Sequence, residues 1–116
     1  MTVVEEYLEK DQYYKKKFGE RTFFLYQVGT FFEVYGLEND KSYENICAVG
    51  EMCNLACVKK GSFVGSKSIY MAGFRDYLLE KYVEKIQSHG YTIVVYVQQE
   101  DGAGGFKRVL HRVYSQ

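Results

Sequence analysis

A phenylalanine and a glutamate are spaced so that they could bind a flat, hydrogen-bonding ligand together. Phe31 and Glu33 follow a Gly29-Thr30 pair within a run of aromatic and β-branched residues. Alternate side chains of a strand point to the same face, so a strand would place the ring beside the carboxylate. Phe32 and Val34 would then form a core pair on the other face. A simpler interpretation is that Phe31 also packs on a neighbouring element, as aromatic residues of strands commonly do.

A locally cationic segment follows, although the chain as a whole is neutral. Fifteen basic and fifteen acidic residues give a formal net charge of zero, which argues against a protein held to nucleic acid by bulk electrostatics. From Met52 to Arg75, however, the charged residues are all cations: Lys59, Lys60, Lys67 and Arg75 itself. Such a segment is either a solvated loop or a set of local contacts to a polyanion.

The sequence shows no pattern typical of a metal or catalytic site. The spacing of Cys47, Cys53 and Cys57 is unlike that of common zinc sites, and His89 and His111 are distant from them in sequence. We therefore expect reduced thiols and no metal. The chain also lacks the lysine-containing phosphate loop of common ATPases, so we expect it to bind rather than to catalyse.

The patterning predicts an α/β (α+β) fold, a mixed β-sheet flanked by about three α-helices, in one domain of residues 1–116. Thr2 and Glu5 form a capping box for the first helix, and Gly29-Thr30 is typical of a type II′ hairpin turn. The predicted helices are Val3–Lys17, Tyr43–Asn54 and Phe74–Ser88. The predicted strands are Thr22–Val28, Phe31–Tyr35, Leu55–Lys59, Ile69–Ala72, Tyr91–Val97 and Phe106–Tyr114, with Gly61–Ser68 and Gln98–Gly105 as loops.

Neither a membrane span nor an export signal is predicted. No apolar run approaches the length of a membrane span, and the first ten residues carry acids where a secretory signal would carry bases. We therefore expect an intracellular location, in the cytoplasm or nucleoid, or in an organelle or viral factory.

Several motifs resemble the start of the MutS family of DNA mismatch repair proteins. The run from Phe23 to Tyr35 resembles an apolar strand that leads through a glycine into a Phe-x-Glu motif. Met71-Ala72-Gly73-Phe74 resembles the family's Met-Ala-Gly followed by an apolar residue. The segments Tyr77–Gln98 and Lys107–Ser115 are similar to the helix and strands that follow in the family. The chain departs at Arg75, because the family usually has a proline after the apolar residue.

This resemblance implies a mismatch-recognition domain, domain I, of a larger repair protein. Phe31 matches the residue that enters the minor groove and stacks on a mispaired or unpaired base, and Glu33 matches the carboxylate that hydrogen-bonds that base. The implied partner is double-stranded DNA with mismatches or small loops, contacted at its backbone by Lys59, Lys60 and Lys67. The domain itself would need no cofactor. A dimeric parent protein would bind ATP and magnesium elsewhere.

Two alternative functions remain open from the sequence. The same fold could use the Phe31 face to dock a protein, which zero net charge would favour. A small nuclease would need clustered carboxylates and a lysine for metal-assisted hydrolysis, but Glu100 and Asp101 stand alone in a turn.

Overall fold

The computed structural model describes residues 1–115 as three helices and six strands. The helices are α1 (Val3–Phe18), α2 (Lys41–Cys53) and α3 (Leu79–Gln87), with a 3₁₀ turn at Asp76–Leu78 before α3. The strands are β1 (Thr22–Val28), β2 (Phe31–Leu37), β3 (Val58–Val64), β4 (Lys67–Arg75), β5 (Thr92–Glu100) and β6 (Phe106–Tyr114). Within the described residues, no helix is both long enough and apolar enough to cross a membrane.

All six strands form one mixed sheet in the order β3-β4-β2-β1-β5-β6. The central pair β1–β5 is parallel, and every other neighbouring pair is antiparallel. This arrangement confirms the predicted fold class. It also brings β2 between β1 and β4, so that the strand carrying Phe31 and Glu33 is paired along both edges.

Helix α1 covers one face of the sheet, called here the α1 face. The predicted capping box is present at its start, where the Thr2 hydroxyl accepts a hydrogen bond from the backbone N–H of Glu5. Tyr7 of α1 packs its ring 5.3 Å from Phe24 and 5.4 Å from Tyr35, measured between ring centroids. Aromatic packing of this kind holds the helix across the central strands.

Helices α2 and α3 cover the opposite face, the α2–α3 face. Phe32 and Phe74 are cross-strand partners on that face, and the ring of Tyr82 in α3 lies 4.3 Å from the Phe74 ring. Phe32 is 3% exposed and Val34 is 2% exposed, so the predicted core pair is confirmed.

Predicted boundaries are wrong at several places: the strand expected at Leu55–Lys59 begins only at Val58, and the loop expected from Gln98 begins after Glu100. Gly61–Ser68, expected as a loop, contains the end of β3, a tight turn and the start of β4. Phe74, expected to begin the third helix, ends up in β4, and the helix begins only at Leu79. Phe74 fits the helical spacing because its ring is buried against α3 from the neighbouring strand.

Candidate functional site

A tight turn presents Phe31 at the start of β2. Gly29 has a φ of +62°, whereas Thr30 is not among the non-glycine residues with positive φ. Positive φ at the first central residue alone is the type II′ geometry that the sequence predicts. The turn places Phe31 at the end of the sheet, where its side chain is 39% exposed. An aromatic ring that is half in solvent at a rigid hairpin is available to a ligand.

Phe31, Glu33 and Tyr35 lie on the α1 face, as strand alternation predicts. Their surroundings differ, however, because Tyr35 is 2% exposed and packs under Tyr7 of α1. Glu33 is half-buried and Phe31 is open. The helix therefore covers the middle of β2 and leaves its first residues accessible.

The buried tyrosine holds the glutamate in place. The Tyr35 hydroxyl donates a hydrogen bond to Oε1 of Glu33. Burial raises the pKa of Tyr35 well above its ordinary value, and the hydrogen bond to Glu33 raises it further. Tyr35 therefore stays a protonated donor at any working pH. In the described part of the chain, Oε2 of Glu33 has no hydrogen-bond partner, so one carboxylate oxygen remains available to a ligand.

A glycine in the neighbouring strand makes room for this carboxylate. Gly73 is the cross-strand partner of Glu33. A Cβ atom at Gly73 would lie 2.8 Å from the backbone oxygen of Phe32 and 3.4 Å from Cγ of Glu33. The glycine of the Met-Ala-Gly motif is thus required by close approach of β4 to β2 at the position of Glu33.

Two arginines that the sequence did not indicate as site residues border Phe31 and Glu33. Arg75 is the cross-strand partner of Phe31, and its guanidinium carbon lies 5.0 Å from the centroid of the Phe31 ring. Arg108 donates from Nε to the backbone oxygen of Gln27 at 2.7 Å and lies 4.9 Å from the centroid of the Tyr26 ring. Both contacts depend on strand pairing over long sequence separations, which local patterns do not reveal.

The three lysines predicted to contact phosphates do not lie together in the structure. Nζ of Lys60 lies 5.7 Å from the centroid of the Tyr35 ring, close to the Glu33 position on the α1 face. Lys59 pairs with Tyr70, whose ring packs on Tyr43 of α2, so Lys59 lies on the opposite face. Of the three lysines, Lys60 therefore lies on the same face as Phe31 and Glu33, beside Tyr35.

Lys67 lies at the far end of β4 from Arg75 and Phe31. Its Nζ is 3.8 Å from Oδ1 of Asp40 and 3.4 Å from the backbone oxygen of Asn39. This lysine already has an anionic partner, which a phosphate would have to replace.

The acidic turn considered for a nuclease has a local structural use. Oδ1 of Asp101 accepts hydrogen bonds from the backbone N–H groups of Ala103 and Gly105, at 2.8 Å and 3.1 Å. These hydrogen bonds lower the pKa of Asp101. Across residues 1–115, no group of three or more His, Cys, Asp or Glu side chains could hold a metal ion.

The open end of the α1 face thus combines a flat ring, a fixed acceptor and several cations. The ring can stack on another flat group, the carboxylate oxygen can accept a hydrogen bond from it, and the cations favour a nearby anion. A nucleobase beside a phosphate backbone has these three properties together. The geometry is therefore compatible with a nucleic-acid interface centred on Phe31 and Glu33.

Comparison with known proteins points to one family. The model of the family described as MutS domain I matches residues 9–116. The chain is also 25% identical over 109 residues to the mutS homolog L359 of Acanthamoeba polyphaga mimivirus, whose name links it to DNA mismatch repair. That match covers 87% of this chain and 9% of the mimivirus protein.

Proposed function

The chain belongs to the MutS domain I family, and from this membership we propose that it recognises mispaired or unpaired bases in double-stranded DNA. The observation that carries the proposal is the exposed Phe31 ring beside the held carboxylate of Glu33 on one face of β2. The printed name of the mimivirus relative supports the same process.

In the proposed mechanism, Phe31 acts as a wedge. An apolar side chain inserted from the minor groove unstacks a base step and kinks the duplex, at a cost of a few kcal/mol. A mispaired base is already weakly stacked and its step is easily deformed, so the cost is smaller at a lesion. Pairing with β1 and β4 holds the Phe31 backbone at the sheet end, so little backbone entropy is lost on insertion.

Glu33 would make this insertion selective. A carboxylate near phosphates is repelled, which weakens binding to every duplex. A hydrogen bond from a displaced base to the carboxylate offsets the repulsion only at a lesion, so specificity comes from a built-in penalty. The Tyr35 hydroxyl supports this role because it fixes one carboxylate oxygen and leaves the other unbonded among the described residues.

Lysines would contribute the sequence-independent part of the binding energy. Lys60 is the best placed of the three predicted phosphate contacts, since it shares the α1 face with Phe31. Lys59 and Lys67 remain predicted phosphate contacts. The phosphates that they would bind lie further along the duplex. Such contacts set the position of the protein on the duplex and carry no sequence information themselves.

The chain spans only 9% of the length of the mimivirus relative, so the rest of the activity is proposed for a larger protein. We propose that this protein binds ATP and magnesium in another domain and acts as a dimer around DNA. Only one subunit would then insert its Phe31. The intact protein is therefore the right material for binding measurements.

The proposal is tested by DNA binding of the intact protein with Phe31→Ala. The wild type should prefer a duplex with one G·T mismatch over the matched duplex. Loss of ring–base stacking is worth about 1–3 kcal/mol, so the variant should lose roughly five- to 150-fold of mismatch affinity and keep its matched affinity.

Phe63→Ala is the matched control, since Phe63 is another exposed ring, 62% exposed against 39% for Phe31, and lies on the edge strand β3. The control should retain the mismatch preference. A wild type without preference, or a preference indifferent to Phe31, would contradict the proposal. If the Phe31 face instead bound a protein partner, with an affinity that depended only weakly on salt concentration, the result would favour the alternative of a protein-docking module.

A further inference from the structure

Arg75 is held against the Phe31 ring by the backbone of two strands. The two residues are partners in the β2–β4 ladder, and the backbone N–H of Asp76 donates to the Thr30 oxygen at 2.8 Å just beyond them. This bond closes the ladder at the sheet end. The fold therefore sets the backbone of Arg75 directly beside that of Phe31, within reach of the ring.

The guanidinium of Arg75 has no acceptor in the described part of the chain. Its interaction there is the contact with the Phe31 ring, 5.0 Å from the ring centroid. An exposed cation–π contact is worth only about 0.5–1 kcal/mol, so Arg75 contributes little to the stability of the fold through this contact. Its N–H donors are free to bind a ligand that reaches Phe31.

The contact also leaves the ring two unequal faces. Arg75 lies over one face of the ring, and Phe31 is 39% exposed, so part of the ring stays accessible beside this contact. A base that stacks on the ring would use the uncovered face, so the guanidinium would not have to move aside. When the ring is inserted, the Arg75 guanidinium would then lie at the edge of the DNA minor groove.

We propose that Arg75 is a DNA-binding residue that bonds a phosphate flanking the lesion when Phe31 is inserted. The inference rests on the proposed function. A guanidinium can stack on a ring with its plane and bond a phosphate with its edge at the same time, which an ammonium cannot. The contact forms only in the wedged complex, because only there is Phe31 within the duplex.

Arg75→Gln in the intact protein tests the inference, because glutamine keeps a polar side chain and removes the charge. The expected result is roughly tenfold weaker binding to a G·T duplex, the usual value of a charge-assisted hydrogen bond, with unchanged binding to the matched duplex. The salt dependence of the mismatch complex should fall by about one counterion. Arg75→Lys should recover only part of the loss.

Arg112→Gln is the matched control. Arg112 forms the same kind of contact, 4.7 Å from the Tyr114 ring centroid, at the opposite end of the sheet, and its loss should leave both affinities unchanged. Thermal melting of both variants checks that each one folds.

Uncharged methylphosphonate linkages placed singly around the mismatch locate the contact. One linkage should weaken wild-type binding and have no further effect on Arg75→Gln. The inference is overturned if Arg75→Gln binds like the wild type, or if it loses equal affinity for matched and mismatched duplexes. A wild type that shows no mismatch preference refutes the proposed function itself, and the inference with it.

Discussion

At the residue scale, the proposed DNA interface puts the Glu33 carboxylate near a polyanion, and this needs an explanation. The carboxylate is half-buried beside β4, it accepts a hydrogen bond from Tyr35, and Gly73 leaves space for it. In the proposed mechanism, these features hold a negative charge where it would oppose DNA binding. The arrangement is understandable if the charge serves discrimination between duplexes.

Glu33→Ala should therefore strengthen binding to matched DNA more than binding to mismatched DNA. The gain on the matched duplex is the removed repulsion, at most about 1 kcal/mol for a solvent-accessible charge, or roughly fivefold. Titration of the intact protein with both duplexes measures it. Glu84→Ala on the outside of α3 removes the same charge away from the site and should change neither affinity. If Glu33→Ala gained the same affinity for both duplexes, the charge of Glu33 would not discriminate between them, which contradicts the proposed role.

Local alternation was enough to predict part of the site. A period of two along β2 correctly places Phe31 and Glu33 on one face and Phe32 on the other. The arrangement of Arg75 could not be predicted, because it depends on the register between β2 and β4 across more than forty residues. Burial of Tyr35 likewise depends on α1 packing across the sheet.

At the scale of elements, the β3–β4 hairpin differs from its sequence-based prediction because of its glycines. The Gly- and Ser-rich sequence of Gly61–Ser68 predicts a continuous loop, and both Gly61 and Gly65 do have positive φ. In the structure, Gly61 lies within β3 at an irregularity in the β3–β4 pairing, and Gly65 forms the turn into β4. Glycine in an edge strand marks a bulge as readily as a loop, and only the partner strand distinguishes the two.

A different glycine sets how closely α2 packs on the strand that carries the site. A Cβ atom at Gly36 would lie 2.6 Å from the backbone oxygen of Ser42 and 2.7 Å from Cα of Tyr43. Both atoms belong to the first turn of α2, which cannot move away without unpacking the helix. Gly36 is thus the point at which β2 and α2 are in closest contact.

Gly36→Ala should lower the free energy of unfolding by about 1–3 kcal/mol, the usual cost of overpacking. Chemical denaturation of the chain measures this loss. Gly105→Ala is the matched control, because the closest atom to its Cβ would be Oδ2 of Asp101, at 2.9 Å on a side chain in an exposed turn. A loss no larger than that of the control would show that α2 is not held against β2 as described.

At the scale of the whole molecule, the sheet order decides which charges meet. The class of fold and most elements followed from hydrophobic periodicity, which is a local property. The order β3-β4-β2-β1-β5-β6 is not local, and it brings Arg108 of β6 to the backbone of Gln27 in β1. A protein of zero net charge thereby acquires cations at the end of the sheet where Phe31 is exposed.

The central claim is that the Phe31 ring enters the duplex at a lesion. The most direct measurement uses the fluorescent adenine analogue 2-aminopurine beside a G·T mismatch, since its fluorescence rises when neighbouring bases unstack. Binding of the intact wild-type protein should raise the fluorescence on the mismatched duplex and leave it unchanged on the matched one. Phe31→Ala at saturating concentration should abolish the rise, and Phe63→Ala should retain it. A rise that persists in Phe31→Ala, or none in the wild type, would contradict the account.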